Sequence, residues 1–369
     1  MTARERVNAA LDFQPVDYIP RYDLFWGGFI AAWRKRQGMA PLPDPVAEDI
    51  EPRDAELRAY YHLDVLKVAP LEDTAPAGFQ VLKRDGKGLI VRDGWGRIVR
   101  QIRGSPYGEV LEAPLSDKTQ LDVLRFDSPL ANVRFTSMLK QISEERDRLN
   151  DPYIFIKVGG PYLRSSFLRG EMQWYLDILE DRAFTVALAS RISEHLTAVG
   201  VEALRRAKLA APSIWIFDDV AGNRGPLVSP IDYENLFLPS IRNMVHAFKG
   251  AGARHVGFHS DGDIRPLLDG LVDAGVTIIN PVEPRAGMDV VQLRNQYGKR
   301  LGFVGGLCNS KVLPFGTDVE VRHHIEHIMS IAAESGFVVG SHTISNDISV
   351  ERYDLTAKIL AEYGRPMPG

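Results

Sequence analysis

Acid and imidazole side chains stand just behind four short apolar runs, and those side-chain types suit proton transfer or the ligation of a divalent cation. SIWIFD (213–218) closes on Asp218 and is followed by Asp219, and HVGFH (255–259) closes on His259 and is followed by Ser260 and Asp261. VTIIN (276–280) is followed by Glu283, and GFVVGS (336–341) by His342. His259 and Asp261 are two residues apart at the end of an expected strand, so both point to one face. A neutral imidazole and a carboxylate offered from one face suit a borderline metal such as Zn²⁺. His342, from a different strand, supplies a third ligand and leaves a position open for substrate. The same residues also make a hydrogen-bonded His–Asp pair without metal, and an aspartate behind a strand often only caps a helix or forms a turn. Capping does not account for the His and Glu choices at four such ends, which favours a site.

Other chemically capable residues carry less. His323, His324, Glu326 and His327 match the H-x-x-E-H pattern of some metalloproteases. However, Val321, Ile325, Ile328 and Ala332 form the apolar stripe of that helix, so His323 and His327 belong to its solvated side. Cys308 follows Gly305-Gly306 at a strand end, as a packed thiol or a pocket residue. Arg21, Trp26 and Trp95 could meet an anionic or planar substrate, with packing as the plainer reading of each.

Positioning residues at several strand ends requires strands that run the same way. From about residue 153, short apolar runs alternate with long amphipathic stretches, among them Asp181 to Lys208, Asp232 to Lys249 and Asp318 to Glu334. A strand followed by a helix, repeated, forces parallel pairing. The runs are YIFIKV (153–158), SIWIFD, HVGFH, VTIIN, LGFVGG (301–306) and GFVVGS, to which VLKVA (65–69) and YIPRYD (18–23) add two, making eight. Eight such units close a (β/α)8 TIM barrel, whose active sites lie at the C-terminal ends of its strands. An open doubly wound sheet is the alternative, but no glycine-rich dinucleotide loop stands at a strand-to-helix junction. We therefore expect one barrel domain over 1–369. Residues 1–60 form an N-terminal helical extension, opened by a Thr2/Glu5 capping box. Residues 79–102, alternating β-formers with Asp-Gly and Gly-Arg turns, form an antiparallel β-hairpin excursion.

Composition removes several functional classes. The 44 basic and 48 acidic residues, net charge −4, are too balanced for a nucleic-acid binder that neutralises phosphates. Apolar runs stay far short of the ~20 residues of a membrane helix, and MTARERVNAALDF lacks the apolar core of a secretory leader. One cysteine makes no intramolecular disulfide. A cytoplasmic enzyme with a small-molecule substrate is expected, with no nucleic-acid or membrane partner and with a homodimer allowed for.

The segment GFHSDGDIRPLLDGLVDAGVTIINPVEP (257–284), with IFDDVAGNRGPLVSP (216–230), FVGGL (303–307), GSHTISNDISVERY (340–353) and ERVNAALDFQPVDYIPRYDLFW (5–26), resembles the uroporphyrinogen decarboxylase superfamily. Within it the chain is most similar to the branch of cobalamin-dependent methyltransferases that demethylate methylcorrinoid proteins. The resemblance implies a (β/α)8 barrel, a corrinoid-protein partner and a Zn²⁺ site built on His259, Asp261 and His342. Asp218, Asp219 and Glu283 then take catalytic roles, and substrate contacts are expected from Arg21, Trp26, Asn223 and Cys308. Two departures matter. The arginine-rich element of the decarboxylases is reduced to Arg21, whereas Asp64 falls where they place an essential aspartate. The His-x-Cys and later Cys of the coenzyme-M enzymes become His259, Asp261 and His342, an oxygen–nitrogen set that leaves a bound metal more positive than thiolates would. Corrinoid-linked methyl transfer is thus the leading expectation. The alternative is a metal-independent decarboxylase using Asp64, Asp219 and Arg21, and a non-catalytic binding barrel is the third reading.

Overall fold

A computed structural model describes residues 1–41, 55–86, 88–102, 108–148, 151–364 and 367. Pro43, Pro45 and Pro52, whose spacing suggests a loop-rich crossing, lie outside the described residues. The expected strands form as β1 (Arg21–Tyr22), β2 (Val65–Val68), β3 (Tyr153–Gly159), β4 (Ser213–Phe217), β5 (His255–His259), β6 (Ile278–Asn280), β7 (Gly302–Gly306) and β8 (Phe337–Gly340). All pair in parallel, in the order β1-β8-β7-β6-β5-β4-β3-β2, which is a barrel written from its seam. The seam between β1 and β2 is closed by Asp64. Its backbone N–H donates to the Arg21 carbonyl at 3.0 Å, and its carboxylate accepts the Arg21 backbone N–H at 2.8 Å.

Each strand is buried on both sides, which is why the runs read as continuously apolar rather than alternating. Along β3, Tyr153 and Phe155 face inward while Ile154, Ile156 and Val158 face the helices. The inner core holds Tyr22, Val65, Phe155, Trp215, Ile278, Val304 and Val338. Phe155 stacks on Trp215 at 3.8 Å, with the Tyr22 edge against both rings. Gly257 makes this possible, because a Cβ there would lie 2.7 Å from the Trp215 indole. Gly257→Ala is therefore expected to overpack the barrel and cost about 1–3 kcal/mol, read as a lower thermal midpoint.

The long helices follow the expected pattern with two differences, the split of 232–249 and a helix from Asp318 that ends at Met329 instead of running to Glu334. Arg182–Ala207 is one helix, capped by the Asp181 side chain on the Phe184 N–H. The stretch expected as one helix from Asp232 to Lys249 is two, Pro230–Leu236 and Leu238–Gly250. Pro239 sits in the first turn of the second, where its missing N–H cannot continue the first. The Thr2/Glu5 capping box is present. The antiparallel excursion has four strands, Gln80–Asp85, Gly88–Arg92, Ile98–Ile102 and Gly108–Glu112, so it runs one strand beyond the expected 79–102. Trp95 anchors it, buried edge-on against Phe167 of the barrel helix Pro161–Arg169, so Trp95 packs rather than binds. No described helix is long and apolar enough to cross a membrane.

Candidate metal centre at the C-terminal rim

β4, β5, β6 and β8 deliver Asp219, His259, Asp261, Glu283 and His342 to one end of the barrel. The His259 Nε2 lies 3.6 Å from Asp261 Oδ1 and 3.7 Å from Asp219 Oδ1. The His342 Nε2 approaches the same Asp261 Oδ1 at 3.3 Å, and its Nδ1 lies 3.9 Å from Glu283 Oε1. One potential ligand atom from each of His259, Asp261 and His342 falls within 4.8 Å of the others. The spread in exposure is useful, since the His259 side chain is 7% exposed while those of Asp219 and Asp261 are 43% and 39% exposed. The cluster is therefore rooted in the barrel and open on its outer side.

The hydrogen bonds around His259 decide its protonation. Its Nδ1 meets Asn280 Oδ1 at 2.6 Å, and the Asn280 amide Nδ2 donates to the Val304 carbonyl at 2.8 Å. The amide oxygen must accept, so Nδ1 carries the proton and Nε2 presents a lone pair. Burial pushes the His259 imidazolium down to about 4, against the Asp219 charge, so the ring is neutral at pH 7. Burial, then the charges of Asp219 and Glu283, pushes the Asp261 carboxyl up to about 8. Asp261 Oδ1 is buried with no hydrogen-bond partner among the described residues. With its carboxyl so raised, Asp261 holds a proton at pH 7 when no cation is bound, and a divalent cation in the proton's place would satisfy both the His259 Nε2 lone pair and the Asp261 oxygen. Two imidazoles, one carboxylate and an outer hydrogen bond that orients a ligand histidine together match the donor set of an open zinc site.

The supports are as specific as the ligands. Asp219 Oδ1 accepts the Asp261 N–H at 3.2 Å, and Glu283 Oε2 accepts the Gly262 N–H at 2.8 Å. Gly262 has φ +82°, and a Cβ there would lie 2.5 Å from the Gly222 carbonyl oxygen, so the turn after Asp261 requires glycine. Phe217 stacks on the His259 ring at 4.0 Å and covers one face. Asn280 escaped the reading of the sequence, although a polar residue closing VTIIN was its available signal. Asn280→Ala is expected to lower metal affinity by ~10–100-fold without unfolding the barrel, as measured by zinc titration.

Asp218, Asp64 and Arg21, also expected in the site, are engaged elsewhere. Asp218 is fully buried and accepts the backbone N–H groups of Tyr162 and Leu163 at 3.2 and 2.7 Å, so it caps the helix Pro161–Arg169 and not a substrate. Asp64 lies at the start of β2, the opposite end of the barrel, where Arg6 Nη1 donates to it at 2.6 Å. Arg21 is 1% exposed and faces the outer helices, paired with Asp23 at 2.8 Å and set over the Tyr353 ring. A substrate carboxylate does not reach it there. Arg21 instead braces His342 at one remove, because Asp23 Oδ1 also accepts the Ser341 N–H at 2.8 Å. The decarboxylase constellation of Asp64, Asp219 and Arg21 is thus not assembled. Trp26 lies on the rim, its backbone N–H on the Ile344 carbonyl at 2.9 Å. Asn223 is exposed in the turn between two short strands, Ala221–Gly222 and Gly225–Pro226, behind β4. Cys308 is buried behind β7, and its backbone N–H donates to His324 Nε2 at 3.0 Å. His324 thus turns inward to brace the β7 end, while His323 and His327 are exposed as expected.

A parallel barrel with acid and imidazole groups gathered at its C-terminal rim defines an enzyme-like class of architecture. The uroporphyrinogen decarboxylase family pattern matches residues 101–363, well over half of the chain, and the protein belongs to that family. Among solved structures, a methyltransferase from Methanosarcina mazei superposes with a TM-score of 0.67 at 17% identity, covering 99% of this chain and 100% of that one. A B12-independent methionine synthase from a Shewanella species, in complex with selenomethionine, gives 0.43 at 11% identity, over 82% of each chain. A putative vitamin-B12-independent methionine synthase from Listeria monocytogenes gives 0.45 at 13% identity, over 95% of this chain and 97% of that one. At these identities the likeness is one of fold. No curated protein matches the sequence.

Proposed function

We propose that this chain is a metal-dependent methyltransferase that exchanges a methyl group with a corrinoid protein. The observation that carries the reading is the orientation of His259. Asn280 fixes its proton on Nδ1, so Nε2 faces Asp261 Oδ1 and, beyond it, His342. Family membership and the full-length likeness to the M. mazei methyltransferase support methyl transfer as the chemistry. A divalent cation such as Zn²⁺ held by His259, Asp261 and His342 supplies Lewis acidity that lowers the pKa of a thiol, hydroxyl or water. The residues of this chain do the remainder. Asp219, the most open carboxylate of the cluster, takes the proton released by the acceptor. Glu283 holds the Gly262 turn and so the placement of Asp261, while Phe217 keeps water from one face of His259. An oxygen–nitrogen ligand set favours hard acceptors more than a thiolate set does.

Methylcobalamin, standing in for the methylated corrinoid protein, tests this by its visible spectrum. Zinc-loaded protein with a thiol or alcohol acceptor is expected to demethylate it, and chelated protein is not. Release of carbon dioxide from a porphyrinogen, with methylcobalamin untouched, would favour the decarboxylase reading instead.

A further inference from the structure

A cavity of about 390 Å³ opens at the N-terminal end of the barrel, opposite the metal centre. Its lining includes Phe13, Pro15, Arg294, Lys299 and Glu334. That volume falls within the ~300–1,000 Å³ of small-molecule sites.

Arg294, on the helix Val290–Tyr297, is 3% exposed and ties together the chain entering β7 and β8. Its Nη1 donates to the carbonyls of Gly298 at 2.6 Å and Leu301 at 3.4 Å. Its Nη2 donates to those of Ser335 at 3.0 Å and Gly336 at 2.8 Å. Phe13 and Phe303 set their rings 4.8 and 5.1 Å from the guanidinium carbon. Four neutral acceptors fix the position of the guanidinium but do not cancel its charge. The buried Nε has no hydrogen-bond acceptor among the described residues. Glu334 Oε2 lies 4.0 Å from it, beyond hydrogen-bond reach, on a side chain that is 59% exposed. Lys299 brings a second cation, exposed to solvent, so the lining carries two cations against one carboxylate. A buried guanidinium without a close anion is costly, and a carboxylate on its Nε–H restores a charge-assisted hydrogen bond.

We propose that this cavity binds a small organic carboxylate, with one oxygen on Arg294 Nε and the other at the Lys299 ammonium. The hydrocarbon part of the ligand lies against Phe13 and Pro15, a wall for which a bare phosphate has no use. Glu334 competes for the same N–H, and its exposure lets it swing outward when the ligand enters. The site is independent of the metal centre and of methyl transfer.

Calorimetric titration of the metal-free, full-length protein with benzoate, benzyl alcohol and inorganic phosphate tests it, at fixed ionic strength. Benzoate should bind once per chain, about tenfold or more tightly than either of the others. Lys299→Met should weaken benzoate several-fold, whereas Glu334→Gln should strengthen it by removing the competing carboxylate. Both side chains are exposed, so both variants should fold as the wild type does. Benzoate that binds no more tightly than benzyl alcohol, or phosphate that matches it, would overturn the proposal. So would a benzoate affinity that is the same in both variants as in the wild type, which would place the ligand elsewhere.

Discussion

His259→Ala should fold and yet lose zinc affinity by well over the ~100-fold upper end of outer-ligand effects, because it removes one of three ligands rather than a support. The fold should hold because the outward residues of β5, Val256 and Phe258, stay fully buried against the helices. What the barrel loses is a ring stacked at 4.0 Å on Phe217 at the wetter end of the interior. Zinc titration by calorimetry, with circular dichroism as the control for folding, separates the two effects. Asp261→Cys extends the test in the other direction, since a thiolate in place of the carboxylate should shift preference toward softer metals. An unchanged zinc affinity in His259→Ala would remove that residue from the site.

The second large effect falls on stability. Asp64 is 2% exposed and joins three elements, accepting from Arg6 on the first helix and from the backbone of β1 while opening β2. Asp64→Ala leaves the buried Arg6 guanidinium with Asp17 as its carboxylate partner beside the Met1 carbonyl, and leaves the Arg21 N–H without the Asp64 acceptor. Breaking a buried pair from one side costs about 3–5 kcal/mol, so the thermal midpoint should fall by several degrees. Asp64→Asn keeps an acceptor for the Arg21 N–H and should recover part of the loss. Zinc affinity and methyl transfer per folded molecule should stay at the wild-type level, and a selective loss of turnover in a stable Asp64→Asn protein would return Asp64 to the active site.

The barrel was readable because strands buried on both faces leave short apolar runs, and turn residues and amphipathic helices punctuate them. The ends of those runs are legible too, since each places one or two of Asp219, His259, Asp261, Glu283 and His342 at the same rim. Neighbouring residues were harder. Asp218 and Asp219 look alike in sequence, and only the backbone turn after Phe217 sends one to a helix cap and the other to the mouth. Asp64 enters by resemblance and Arg21 by its charge, and neither signal says which end or face of a strand a residue occupies. The break at Phe237 had a visible cause in Pro239, whose missing N–H outweighs an uninterrupted amphipathic pattern.

X-ray absorption at the zinc edge, on wild-type protein loaded with zinc and freed of excess, tests the central claim most directly. The account predicts one zinc per chain with two imidazole nitrogens at ~2.0–2.1 Å and at least one carboxylate oxygen, and a loss of nitrogen scattering in His259→Ala. A chain that stays metal-free under these conditions, or binds zinc without imidazole ligation, would contradict it.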